Sequence, residues 1–407
     1  MAETQESRWN RFLADFGDGA WFVAGMVLAV RMFIAPLKRT TLISYERGCD
    51  AWWNDTFYYE THLDYIYPPT FTIAYSPIGW LPDWLGAPAW TLLGLGVAWL
   101  GLKAFLRNVA PARFSRKQQS LCLALALFGL FRGLWAAQAN ALVIGLALLA
   151  VSAVVRRKWW SASFCLAAPI FIKLWPAALA MLLVPLKIRP LAGRLAAVSL
   201  GLAAIPWLTR AWDIAWRQHA GYVDLILHRR VDARFSGYRD LWTIWEQFQT
   251  PDPQLYKFLQ LATAACVFAW CVWLAWRQES DRRLATGLVG MWLTWQLLVG
   301  PGTERLTFGI MAPLMAWAIV ESLRRGRGTL LSAAAYLLLF VLGTGDIETA
   351  LLPYLSWSPA LAPGGSLVFL GWLLTYFRAP QAGPTYGSAE DCESPSAIPV
   401  ALQSRAA

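Results

Sequence analysis

Apolar runs of helical length recur along this chain from Ala20 to Tyr376, with the charges between them confined to short islands. The pattern predicts helices solvated by lipid, since a ~30 Å hydrocarbon core takes about 20 apolar residues at 1.5 Å each. Spans are expected at about 20–36, 87–106, 120–136, 139–155, 195–209, 258–276, 284–299, 307–322, 329–345 and 364–377. Two further segments fit no simple crossing. Pro69 to Leu85 is short and interrupted at Pro77 and Pro82, while Trp159 to Pro185 is too long for one helix and too short for two. The basic islands arbitrate: Arg107 to Lys117, Arg156 to Lys158, Lys187 to Arg194, Arg277 to Arg283 and Arg324 to Arg327. If both awkward segments are re-entrant or interfacial, every island falls on one side together with both termini, cytoplasmic under the positive-inside rule. A simple crossing at Trp159 to Pro185 would strand Lys187, Arg189 and Arg194 on the other side.

Composition agrees. Of 407 residues 57% are hydrophobic and 15% charged, well under the ~25% charged of soluble domains, which excludes a cytosolic enzyme. The net charge of +10 is clustered beside apolar segments rather than spread over one soluble face, so no nucleic-acid partner is expected. The 25 Trp suit bilayer interfaces or sugar stacking. Neither the six cysteines nor His62, His219 and His228 show metal-ligand spacing, and no disulfide framework is indicated. The first apolar run follows a mixed-charge leader without a small-x-small cleavage site, so it reads as an uncleaved membrane helix. The expected organisation is a cytoplasmic leader over 1–19, a membrane domain over 20–378 and a disordered cytoplasmic tail over 379–407. The protein should be an integral, multi-pass protein of the plasma or inner membrane.

This topology leaves large non-cytoplasmic loops at 37–68 and 210–257. The first sets Glu46, Asp50, Asp55, Glu60 and Asp64 among Trp52, Trp53, Tyr58, Tyr59 and Tyr65. Rings can take the apolar face of a sugar and acids its hydroxyls; an interfacial aromatic belt is the competing reading. Three polar clusters interrupt the apolar segments. Gln138 and Asn140 sit at the outer turn of a hairpin, where amides either hold a sugar or phosphate oxygen or cap a helix. Lys173, in "IKLWP", lies mid-segment, and an intramembrane lysine suggests a phosphate counter-ion more than a snorkelling side chain. In "LLVGPGTERLTF", Glu304 and Arg305 follow an opened backbone that either grips an anionic head group or makes an ordinary hairpin turn. No internal repeat is visible.

Four stretches in this order carry a resemblance: "DYIYPPTFTIAYSPIGWLP", "AQANALVIGLALLAVSAVV", "APIFIKLWPAALAMLLVP" and "GPGTERLTFGIMAPLMA". Over roughly residues 20 to 345 the chain resembles family 87 of the glycosyltransferases, within the multi-spanning GT-C superfamily, and in particular mannosyltransferases that use polyprenyl-phosphate sugars. The resemblance implies an all-α polytopic fold and an inverting transfer of a hexose, mannose-like, to a lipid or glycan acceptor on the non-cytoplasmic face. The donor would be a polyprenyl-phosphate-linked sugar and the partners membrane lipids. No cofactor or metal is needed in this scheme, although some relatives in the wider superfamily use divalent ions. It also implies an Asp base early in the first loop, and here the sequence departs: Thr41 or Ser44 stands at that place, depending on alignment. Glu46 and Asp50 are the nearby carboxylates that would substitute as base. By motif match Tyr67, Pro68 and Pro69 would shape the first-loop helix, and Gln138, Asn140, Lys173 and Glu304 would line the carrier and sugar cavity. Lys173 with Arg305 would hold the leaving phosphate. The missing Asp supports an alternative, a protein that binds or moves a lipid-linked sugar without cleaving it. A structural partner in a membrane complex is a third reading.

Overall fold

The computed structural model describes residues 2–61, 65–229, 238–277, 279–300, 302–343, 346–351, 353–355 and 357–378. His62, Asp64, Pro301 and the 379–407 tail, which holds Cys392, lie outside the described residues, as do the side chains of Glu60 and His228. Among the described residues the architecture is all helix with a single isolated bridge. The first half runs α1 (Ala2–Ile34), α2 (Leu42–Trp53), α3 (Pro69–Gly79), α4 (Asp83–Asn108), α5 (Arg116–Trp135) and α6 (Asn140–Val155). Next come α7 (Trp159–Ile170), α8 (Ala177–Leu186), α9 (Ile188–Thr209), α10 (Trp212–Asp224) and α11 (Leu241–Glu246). The chain closes with α12 (Pro253–Trp276), α13 (Asp281–Leu298), α14 (Ala312–Arg325), α15 (Thr329–Tyr336) and α16 (Leu361–Arg378).

The helices begin where local chemistry satisfies the orphan backbone N–H groups. Ser115 and Gln118 close a reciprocal capping box at α5, Asp252 accepts from two backbone N–H groups ahead of Pro253 at α12, and the Ser280 hydroxyl caps α13. Six segments are long and apolar enough to cross a bilayer: Arg11–Ile34, Asp83–Asn108, Ile188–Thr209, Pro253–Trp276, Arg305–Arg325 and Ser358–Arg378. Shorter apolar helices fill Asn140–Val155, Ala177–Leu186 and Thr329–Leu342. The chain is therefore an all-α polytopic membrane protein. Helix α1 runs unbroken from Ala2 to Ile34, through the expected start of the membrane domain at residue 20.

Contacts place the five basic islands at one end of the bundle. Lys187 pairs with Asp281 at 3.0 Å, the Thr286 hydroxyl donates to the Val109 carbonyl, and Asn108 donates to Ser152 near the end of α6. The Arg283 guanidinium donates to the Phe377 carbonyl at 3.1 Å. Arg324 and Arg325 both bind the fully buried carboxylate of Glu321, at 2.8 and 2.6 Å, and Arg325 also reaches the Tyr376 hydroxyl. The opposite, loop end carries 37–68 and 210–257, tied together where Arg210 meets Asp55 at 3.2 Å.

The segment 159–187 folds back. It leaves the basic end after Arg157, reaches the level of Asn140 at Lys173, and returns so that Leu186 and Lys187 share a cleft with Val154, Val155 and Leu284. Pro169 and Pro176 bracket the reversal, and proline cannot continue an α-helical ladder. In contrast, α3 stays at the loop end, where Ser76 and Thr72 meet Trp53 and Cys49 of α2.

Candidate active site

The first loop is folded by its aromatic residues. Leu42, Tyr45, Cys49 and Trp52 make one buried face of α2 at helical spacing. The Tyr45 ring meets Tyr67, Phe71, Tyr75 and Trp90 edge-on, with centroids 5.0 to 5.7 Å away, the geometry aromatic quadrupoles prefer. Its hydroxyl accepts from the Ala139 N–H and bonds the Tyr67 hydroxyl, both at 3.1 Å. Pro68 precedes α3 in extended conformation and Pro69 occupies its first turn, which fixes Tyr67 at the helix entrance. Burial holds the Tyr67 phenol well above its ordinary value of 10, so it stays protonated.

Glu46 and Asp50 lie elsewhere. One helical turn apart, they share a flank of α2 beside the Tyr45 face, and Asp50 is exposed. Burial, then the charges of Asp83 and Asp50, push the Glu46 carboxyl up to about 7. Neither carboxylate lines the cavity described next. Thr41 joins loop to bundle: its hydroxyl donates to the Ala136 and Ala137 carbonyls at 3.2 and 3.1 Å. A carboxylate at that spot would face two acceptors.

Behind Tyr67 a cavity of about 450 Å³ opens at the loop end. Lys173, only 9% exposed, reaches it from the α7–α8 reversal and donates to the Asn140 Oδ1 at 2.9 Å. Its ammonium also lies 5.4 Å from the Tyr67 ring centroid, a cation–π arrangement. Asn140 Nδ2 in turn donates to Gln138 Oε1 at 2.6 Å. The α5–α6 turn that presents these amides passes through Ala137 at φ 53°. A buried lysine thus enters the cavity with two buried amides and a tyrosine behind it.

The rest of the lining comes from far along the chain. Tyr238 and Glu304 form an antiparallel bridge, the Arg239 N–H donates to the Thr303 carbonyl at 2.7 Å, and the Thr303 hydroxyl donates to the Gln296 carbonyl at 2.9 Å. This pairing brings two carboxylates, Glu304 and Asp240, to the cavity. Asp240 Oδ1 accepts from the Trp242 N–H at 3.1 Å and so caps α11. Tyr256, Lys257 and Gln260 of α12 join this lining. Of the residues singled out by sequence, Lys173 and Glu304 line the cavity, with Asn140 and Tyr67 in contact with Lys173. Arg305 opens the 3-10 turn ahead of α14 and does not line it. Asp240, Tyr256, Lys257 and Gln260 were not foreseen; Lys257 and Gln260 flank the start of an apolar span, the one signal they carry. Among the described residues, no three or more His, Cys, Asp or Glu side chains group as a metal site.

The family model for glycosyltransferase family 87 matches residues 65–301, more than half of the chain. The match takes in Tyr67, Asn140, Lys173, Asp240 and Lys257, and stops short of Glu304. No curated protein matches the chain.

Proposed function

The chain belongs to glycosyltransferase family 87, and we propose that it transfers a hexose, mannose-like, from a polyprenyl-phosphate carrier to a lipid or glycan acceptor on the non-cytoplasmic face. The observation that carries this reading is the buried Lys173, held by Asn140 and Tyr67 and lining one cavity with Glu304. A lysine kept out of water at the head of a membrane bundle suits an anionic group that arrives with its own lipid. In the reaction the acceptor oxygen bonds to the anomeric carbon as the bond from that carbon to the phosphate oxygen breaks. The electron pair leaves on the phosphate, where Lys173 and Lys257 offset the developing charge. The acceptor proton passes to a carboxylate. Glu304 fits that role better than Glu46 or Asp50, which do not line the cavity, and better than Asp240, whose Oδ1 is engaged at the α11 cap. Displacement at one face of the sugar inverts its anomeric configuration.

The test is sugar transfer by purified protein in lipid, from radiolabelled polyprenyl-phosphate mannose and glucose to a mixed lipid and glycan extract. Glu304→Gln should lower the rate by about 10²-fold or more, the usual worth of a general base, whereas Asp50→Asn and Glu46→Gln should stay within about threefold of wild type, the scatter of surface substitutions. Parallel assays with EDTA read metal dependence. Carrier binding without transfer would favour the second reading, a binding protein that does not turn over; Thr41, occupied with carbonyls where the resemblance implies an acid, is its support.

A further inference from the structure

The turn that carries Gln138 and Asn140 is fastened from outside. Ala137 stands at φ 53°, a conformation an alanine keeps only where its surroundings fix it. Ala139, at the entrance of α6, has no side chain to cap that helix. The fastening comes from the first loop and α4. The Thr41 N–H donates to the Ala136 carbonyl at 3.0 Å, and its hydroxyl donates to the Ala136 and Ala137 carbonyls at 3.2 and 3.1 Å. Tyr45, one turn further along α2, accepts from the Ala139 N–H at 3.1 Å. Trp90 of α4 donates its indole N–H to the Ala137 carbonyl at 2.9 Å. What this turn presents is Asn140, whose Oδ1 accepts from Lys173 at 2.9 Å. Asn140 is 2% exposed and Lys173 9%; with both kept from water, the orientation of the ammonium follows that of the amide. Tyr45 reaches the lysine by a second path: its hydroxyl bonds that of Tyr67 at 3.1 Å, and the Tyr67 ring centroid lies 5.4 Å from the ammonium.

We propose that Thr41 and Tyr45 are positioning residues for the phosphate site: they clamp the 136–140 turn and, through Asn140, aim the Lys173 ammonium into the cavity. The inference rests on the reading of Lys173 as the phosphate partner, and it gives the first loop of this chain a task other than supplying a base. The residue types suit that task. A threonine hydroxyl donates to carbonyl oxygens, whereas an ionised carboxylate only accepts. A tyrosine oxygen can take one N–H and still share a proton with a second phenol.

Full-length protein in phospholipid nanodiscs would be titrated with citronellyl phosphate, the leaving group on a short tail, and the thermal unfolding of each variant recorded beside its Kd. Thr41→Val, nearly the same shape without the hydroxyl, and Tyr45→Phe should each weaken binding about fivefold or more, the worth of one hydrogen bond. Thr41→Ser keeps the donor and should stay within about twofold of wild type. Thr41→Asp should bind more weakly than wild type and transfer no more sugar, because its carboxylate would face two acceptors. A rise in sugar transfer in Thr41→Asp would overturn the proposal, since position 41 would then be a lost base rather than a clamp. Lowered melting with an unchanged Kd in Thr41→Val and Tyr45→Phe, or a Thr41→Ser as weak as Thr41→Val, would also overturn it and leave the reading of Lys173 intact. Should Thr41→Val not fold, Tyr45→Phe and Thr41→Asp decide. Lys173→Met should lose about tenfold or more; if it binds as wild type does, the carrier reading fails and this inference falls with it.

Discussion

Tyr45 and Glu46 are neighbours in sequence and opposites in environment. Tyr45 faces the bundle at the centre of the aromatic cluster, and its hydroxyl belongs to the chain that reaches Tyr67 and, through the Tyr67 ring, Lys173. Glu46 faces Asp83 instead, partly dehydrated and repelled by two acids, with its carboxyl pushed up to about 7. The sign of the consequence is fixed. Between its ordinary value of 4.5 and about 7 the folded protein keeps a proton that the unfolded chain has released, so stability falls as pH rises through that window. The cost is complete above about 7. Glu46→Gln should therefore melt higher than wild type at pH 8, by about 2 °C given that a half-exposed carboxylate retains much of its solvation. The gain should shrink to nothing as pH falls through the window, read by thermal unfolding in detergent from pH 4 to 8. A gain of equal size at every pH would mean that packing, not charge, sets the environment of Glu46.

Between elements, α4 packs closely on α6. A methyl at Gly101 would sit 2.4 Å from the Gly145 carbonyl oxygen, and one at Gly145 would sit 2.5 Å from the Val97 carbonyl oxygen. Backbone cannot yield as a side chain can, and small residues at such crossings are how lipid-embedded helices pack. Gly145→Ala should destabilise the fold by about 1–3 kcal/mol, seen as a lower aggregation temperature. Gly96→Ala, where nothing lies within 4 Å, should be neutral or slightly stabilising. How much the sequence disclosed divides along the same line. Apolar runs placed the helices, because a ~30 Å solvent slab imposes one length on each. Basic islands located the fold-back at Lys173, because a single simple crossing would have scattered them. Proximity in sequence guided the choice of base: Glu46 and Asp50 stand near the place of the expected acid, but neither lines the cavity. Asp240 and Lys257 were hidden for a different reason. The Tyr238–Glu304 bridge that sets this part of the lining joins segments 66 residues apart, and nothing local in either segment announces it.

Over the whole molecule, chemistry is segregated along one axis. Arginines and lysines of the five islands gather at one end, several of them fixed by Asp281, Glu279 and Glu321, while the cavity, the aromatic loop and the α11 segment gather at the other. By the positive-inside rule the proposed function puts the cavity on the non-cytoplasmic side. That placement matters for the donor: nucleotide sugars are made in the cytosol, and a sugar used on the far side must arrive on something that crosses or floats, for which a lipid phosphate is suited. Single cysteines at Gln249, exposed beside α11, and at Arg327, exposed after α14, would test it on a background with the native cysteines replaced. A membrane-impermeant maleimide should label Gln249→Cys in intact cells and Arg327→Cys only after permeabilisation. The reverse pattern would turn the cavity toward the cytosol, where a soluble nucleotide sugar could reach it directly, and would remove the main physical reason for a lipid-borne donor.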